Sequence, residues 1–143
     1  PEYIFAKERI LAEYLSKTEP EISVSIGAIK IGNAVYLSNP AEYFCQLGLD
    51  IKAESPFDYT FIVSLAKGSL GHVPNAECFG AAGGGYETVL TSYSNMEVQA
   101  GEKIRFASIA LAKQLVPEKA PLPQKSKSWQ APWKYGILGP DVT

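Results

Sequence analysis

The sequence predicts an α/β fold: a small mixed sheet, made of a hairpin and a third strand, flanked by helices over 2–17, 41–54 and 102–116. Three observations carry this. Apolar residues recur at helical spacing in the first and last of those helices. Two short apolar runs flank Gly32-Asn33, a pair with the composition of a two-residue hairpin turn. A third run, Tyr59 to Leu65, is rich in β-branched and aromatic residues, and a helical stretch separates it from the hairpin.

In the first helix Tyr3, Ile4, Ile10, Leu11, Tyr14 and Leu15 alternate with Lys7, Glu8, Arg9 and Glu13, and Thr18-Glu19-Pro20 stops it. Ile22, Val24 and Ile26 then show strand period. Gly27-Ala28 shifts the phase to Ile29 and Ile31, which predicts a bulge. Ala34-Val35-Tyr36-Leu37 is mostly apolar and is expected at the centre of the sheet. Ser38-Asn39-Pro40 supplies a capping residue and an N1-type proline for the second helix, which ends before Ser55-Pro56. Residues 67–101 are glycine-rich and aperiodic, the mark of a functional or disordered loop. Gly101-Glu102 opens the last helix, with Ile104, Ala107, Ile109, Leu111 and Leu115 on its apolar side. From Pro117 the composition changes, so the chain divides into a body, 1–116, and a Pro/Trp-rich extended tail, 117–143. Trp129, Trp133 and Tyr135 of that tail are expected to pack on the body.

The 143 residues fit one domain large enough to bury a core. A net charge of −2 argues against nucleic acid as a partner, and the first basic stretch mixed with an aromatic, Lys125-Ser126-Lys127-Ser128-Trp129, is short and lies in the Pro-rich tail. No apolar run reaches the roughly 18–20 residues that span a bilayer. The start at Pro1, without Met, suggests a processed product, a recombinant piece or part of something longer. Cys45 and Cys78 are too few for a disulfide framework. They are read as reduced small hydrophobes, with a mutual disulfide or metal binding as the other readings.

Glu42 follows a central strand at the expected start of a helix, where ligands collect in α/β folds. The helix dipole favours an acid there in any case, by about 0.3–1 kcal/mol. His72, the only histidine, lies in the glycine-rich loop. It is either a solvated loop residue or, with Glu42, part of a zinc shell, since imidazole and carboxylate are both zinc donors. Gly83-Gly84-Gly85 lacks the Gly-Lys-Ser/Thr ending of a phosphate loop, so close backbone approach or a tight turn explains it better. Tyr86, which follows, is either a core aromatic or a phenol placed to donate to a developing oxyanion.

Read in order, Pro40-Ala41-Glu42, Ser55-Pro56-Phe57, Gly71-His72-Val73-Pro74 and Gly83-Gly84-Gly85-Tyr86-Glu87-Thr88 resemble the C-terminal half of the catalytic domain of neutral/alkaline non-lysosomal ceramidases and their relatives, over roughly residues 20–116. The strand pair 29–37 looks like the one that leads into the family's Pro-Gly-Glu motif, here Pro40-Ala41-Glu42. The resemblance implies Glu42 as a zinc ligand. It aligns His72 with a ligating tyrosine of an Asn-x-Tyr-x-x-Tyr-Val segment, whose asparagine and first tyrosine fall on Lys67 and Ser69. Tyr86 aligns with a tyrosine that supports the carbonyl oxygen during amide cleavage.

The family's other two ligands are histidines of an N-terminal half, to which nothing here corresponds. The resemblance thus implies a fragment of a zinc-dependent amide hydrolase acting on N-acyl sphingolipid-type substrates, incomplete as an enzyme in this chain. It further suggests a secreted or extracytoplasmic location. Its implied partners are the missing half, or a second copy, and a lipid amide substrate. The substitutions at Lys67, Ser69 and His72 leave open a catalytically inactive binding or structural module, and an accidental likeness is the third reading.

Overall fold

The computed structural model describes residues 2–81 and 83–119. The architecture is mixed α/β: three α-helices, a three-stranded mixed sheet and a separate two-stranded ladder. Residues 120–143, with Trp129, Trp133 and Tyr135, lie outside the described residues.

Helix α1 spans Glu2–Thr18 as its spacing predicts, but of its residues only Ala12 is buried. Tyr3, Ile4, Ile10, Leu11 and Tyr14 are exposed. The helix is tied to the body through Glu8, whose carboxylate accepts from both the backbone N–H and the hydroxyl of Ser92. Those two hydrogen bonds hold the Glu8 carboxyl below its ordinary pKa.

Strand β1 is Gly27–Ile31 and β2 is Ala34–Ser38, paired antiparallel in an unbroken register from Gly27↔Ser38 to Ile31↔Ala34. The expected bulge is absent, and no strand forms over 22–26. The reason is the length of the partner: β2 runs out at Ser38, opposite Gly27, so earlier residues have no ladder to join. Ile22, Val24 and Ile26 instead line a groove against α1. The turn is the expected two-residue one, with positive φ at Gly32.

The chain leaves β2 for a two-residue strand, β3 (Glu42–Tyr43), and returns through helix α2 (Cys45–Glu54). Strand β4, Tyr59–Val63, lies parallel to β2 from Ala34↔Tyr59 to Ser38↔Val63 and puts β2 at the centre, as expected. Parallel strands need a crossover, and α2 provides it. β4 stops two residues short of Leu65, which has a φ of 54° and turns the chain away. Helix α3 spans Ala100–Lys113, slightly earlier at both ends than 102–116. Beyond it Glu118 N–H donates to Gly32 O at 3.2 Å, and the Lys30 ammonium holds Val116 O at 3.1 Å, so the chain exits past the hairpin tip.

One face of the sheet is covered. Val35 and Leu37 pack with Ile51 of α2, Phe57, and Ile109 and Ala112 of α3. Each such large buried side chain contributes about 1.5–3 kcal/mol. A second cluster joins Ala41, Val73 and Ile104, and Tyr43 packs against both. The other face carries Ile29, Ile31, Tyr36, Tyr59, Phe61 and Val63, all exposed. No helix among the described residues is long and apolar enough to cross a membrane.

Candidate functional site

The second helix begins at Cys45 rather than residue 41, so Glu42 is not a first-turn acid and Pro40 is not an N1 proline. The segment from Asn39 to Tyr43 remains extended because it finds backbone partners that a helix would forgo. Asn39 N–H donates to Val63 O, Leu65 N–H to Ala41 O, Ala66 N–H to Asn39 O and Leu70 N–H to Pro40 O. Asn39, fully buried, also accepts the Ala41 N–H on its side-chain Oδ1 at 3.1 Å.

This pairing ends in a short parallel ladder. β3 pairs with β5 (His72–Val73) in the register Glu42↔His72, Tyr43↔Val73. Glu42 N–H donates to Gly71 O at 2.9 Å, and Phe44 N–H to Val73 O at 3.3 Å. Partners in register project to the same side of a ladder, and the Glu42 carboxylate stands 3.4 Å from His72 Nδ1. The His72 side chain is only 14% exposed, and that of Glu42 46%. Tyr86, 66% exposed, meets His72 edge-on, with ring centroids 5.1 Å apart. Glu42, His72 and Tyr86 therefore form one cluster, just beyond the C-terminal ends of β2 and β4.

Two loop features hold His72 in place. The turn at 91–94 backs it: Ser94 Oγ accepts the His72 N–H at 3.1 Å and donates to His72 O at 3.3 Å, while Ser94 N–H donates to Thr91 Oγ1 at 2.9 Å. Gly71, at φ +67°, lies so close to this turn that a Cβ there would stand 2.0 Å from Tyr93 O. On the other side Gly83 runs against the 3-10 helix Ala76–Phe79, where a Cβ would meet Glu77 O at 2.6 Å. The glycine run thus serves close backbone approach, and the chain that leaves it, Tyr86–Thr88, carries the tyrosine to His72.

Thr91 and Ser94 escaped the sequence reading, although a run of Thr, Ser, Tyr and Ser is of the kind whose hydroxyls bond local backbone. Tyr43 escaped it too. Its phenol donates to Gly101 O at 2.7 Å, and burial, followed by the nearby Glu102 carboxylate, pushes its pKa well up. Lys67 stands at φ +66°, a region that asparagine tolerates better than lysine. Cys45 and Cys78 are both free thiols, so the disulfide reading is set aside.

Glu42 and His72 fit a zinc ion as far as they go. At 3.4 Å, Nδ1 and the carboxylate oxygen are too far apart for a strong charge-assisted hydrogen bond. The distance matches the edge of a tetrahedron with metal bonds of about 2.0–2.1 Å, roughly 3.3–3.4 Å. Among the described residues no group of three or more His, Cys, Asp or Glu gathers to hold a metal, so the pair is a partial donor set.

A groove of about 1200 Å³ lies elsewhere, between α1 and the start of α3, lined by Ile10, Ile22, Leu70, Met96 and Ile104 among others, with none of the three cluster residues on its wall. Comparison with protein-family models, with curated proteins and with solved structures finds no match to this chain.

Proposed function

We propose that this chain is part of a ceramidase-like, zinc-dependent amide hydrolase acting on N-acyl sphingolipid-type substrates, and that another segment supplies the remaining metal ligands. The observation that carries the reading is the Glu42–His72 pair, held in register with a carboxylate and an imidazole at the spacing of two ligands of one ion. In this reading Glu42 and His72 hold the metal from one side. The phenol of Tyr86, edge-on to the imidazole, donates a hydrogen bond to the substrate carbonyl oxygen as it gains charge. When bound, zinc supplies the nucleophile, by lowering the pKa of water toward about 7, and polarises the acyl carbonyl. Catalytic zinc normally takes three protein ligands, and the described residues bring two together, so in this reading the remainder comes from elsewhere. The exposed apolar residues of α1 and the groove beside it offer a surface for the segment that completes it.

One observation favours a second reading, a binding module without catalysis. Lysine occupies the left-handed position at 67, where the resembled motif has asparagine. Together with Ser69 and His72 it departs from that motif.

The first test is calorimetric titration of zinc into the purified chain, with His72→Ala and Glu42→Ala as variants. Weak one-to-one binding lost in both variants is expected; binding indifferent to both overturns the zinc reading. Release of fatty acid from a fluorescent N-acyl sphingosine by the full-length gene product then separates hydrolase from module. Zinc bound without turnover selects the module.

A further inference from the structure

Among the described residues, the three-stranded sheet has helices on one face only. On the other, strand register aligns three rows: Ile31, Ala34 and Tyr59; Ile29, Tyr36 and Phe61; Gly27, Ser38 and Val63. The rows contain no charged residue, and the large members are exposed, Ile29 and Ile31 by about two-thirds. At the centre Tyr36 and Phe61, register partners on neighbouring strands, stack with ring centroids 4.8 Å apart and planes 13° from parallel.

We propose that this face seats the same face of a second copy of the chain, giving a two-fold dimer in which two sheets stack between outer helix layers. A contiguous apolar patch of this kind lies at the upper end of what a monomer ordinarily leaves in water, and patches of that size often mark an interaction surface. Isologous pairing demands a surface that tolerates itself, and a face without charge between its strands meets its copy without like-charge repulsion. The side chains named expose on the order of 600 Å² per copy. Full burial of these side chains in two copies removes about 1,200 Å² in all, the lower bound for specific interfaces. Sheets stacking face to face at about 10 Å are the ordinary way for two such surfaces to leave water. The Lys67 ammonium stands at the Gly27 corner, on the rim of the face. The dimer does not depend on the zinc reading, because no cluster residue lies in its interface.

Sedimentation equilibrium of the whole chain tests it. The expected mass is twice the 15.5 kDa of one chain at tens of micromolar, with Phe61→Glu weakening association at least about 100-fold. Leu49→Glu, a charge placed on the exposed side of α2, leaves association unchanged. Far-UV circular dichroism checks that each variant folds, and mixing Phe61→Glu with Phe61→Lys restores the dimer as a heterodimer. A monomeric wild-type chain overturns the proposal, as does a dimer indifferent to Phe61→Glu. A chain truncated after Lys119 that dimerises when the full chain does not overturns it as well, in favour of the tail as occupant.

Discussion

Glu42 and His72 are register partners in the β3–β5 ladder, and the carboxylate of one stands 3.4 Å from Nδ1 of the other. Helix α2 and strand β4 separate them in sequence, so the pairing is a product of the parallel ladder. If both groups ligate one ion, charge on Glu42 matters as well as shape. Glu42→Gln keeps the side chain's size and, at a half-exposed position, leaves thermal unfolding unchanged. Zinc affinity of the same variant, measured by calorimetry, falls by about ten-fold or more.

Gly71 is the tightest point beside that pair. Its φ of +67° disfavours any L side chain, and a Cβ would meet Tyr93 O at 2.0 Å and Ser94 Cα at 3.0 Å. Gly71→Ala is therefore expected to cost roughly 2–4 kcal/mol, seen as a lower midpoint in urea unfolding. It also displaces the 91–94 turn that holds the His72 backbone, so any zinc affinity falls with it.

Lys67 has the same conformational problem without a steric one. A left-handed residue other than glycine or asparagine carries a penalty of about 1–2 kcal/mol, and Lys67 adopts φ +66°. Lys67→Asn is expected to stabilise the fold by roughly 0.5–1 kcal/mol, which calorimetry reads as a melting temperature raised by about 2–4 °C. A lowered melting temperature means that the lysine makes a compensating contact.

The half-buried phenol of Tyr43 ties the start of α3 to β3. Tyr43→Phe keeps the ring in both clusters and removes only the hydrogen bond to Gly101 O. The expected loss is about 0.5–1.5 kcal/mol, with faster amide exchange in the first turn of α3 as the local signature.

Attachment of α1 is expected to weaken in acid. Glu8 has a lowered folded-state pKa because Ser92 donates two hydrogen bonds to its carboxylate. The sign follows from linkage: the contribution is full above the ordinary value of 4.5 and is lost as pH falls through the lowered one. Proteolysis within α1 should stay constant from neutral pH down to that region and rise below it. Ser92→Ala, which removes the hydroxyl donor, moves the rise to higher pH.

Several elements were legible locally. Helix α1, the Gly32-Asn33 turn and the central place of Ala34–Ser38 follow from spacing and turn chemistry, which depend on near neighbours in sequence. The false strand at 22–26 and the helix start placed at 41 share one cause. Strand period and a capping residue state what a segment can do, whereas ladder formation depends on whether a partner lies beside it. β2 ended opposite Gly27, and the 65–73 segment captured 39–43.

By itself the sequence determined the α/β class and the order of the main elements, because periodicity and turn chemistry are written locally. Only the tertiary structure decided that Glu42, His72 and Tyr86 meet, that the 91–94 turn supports the histidine, and that one sheet face is left uncovered by the described residues. The physical reason is that apolar alternation marks a face as suited to burial without naming what buries it. Contacts between distant segments arise from register and close backbone approach, which no local pattern encodes.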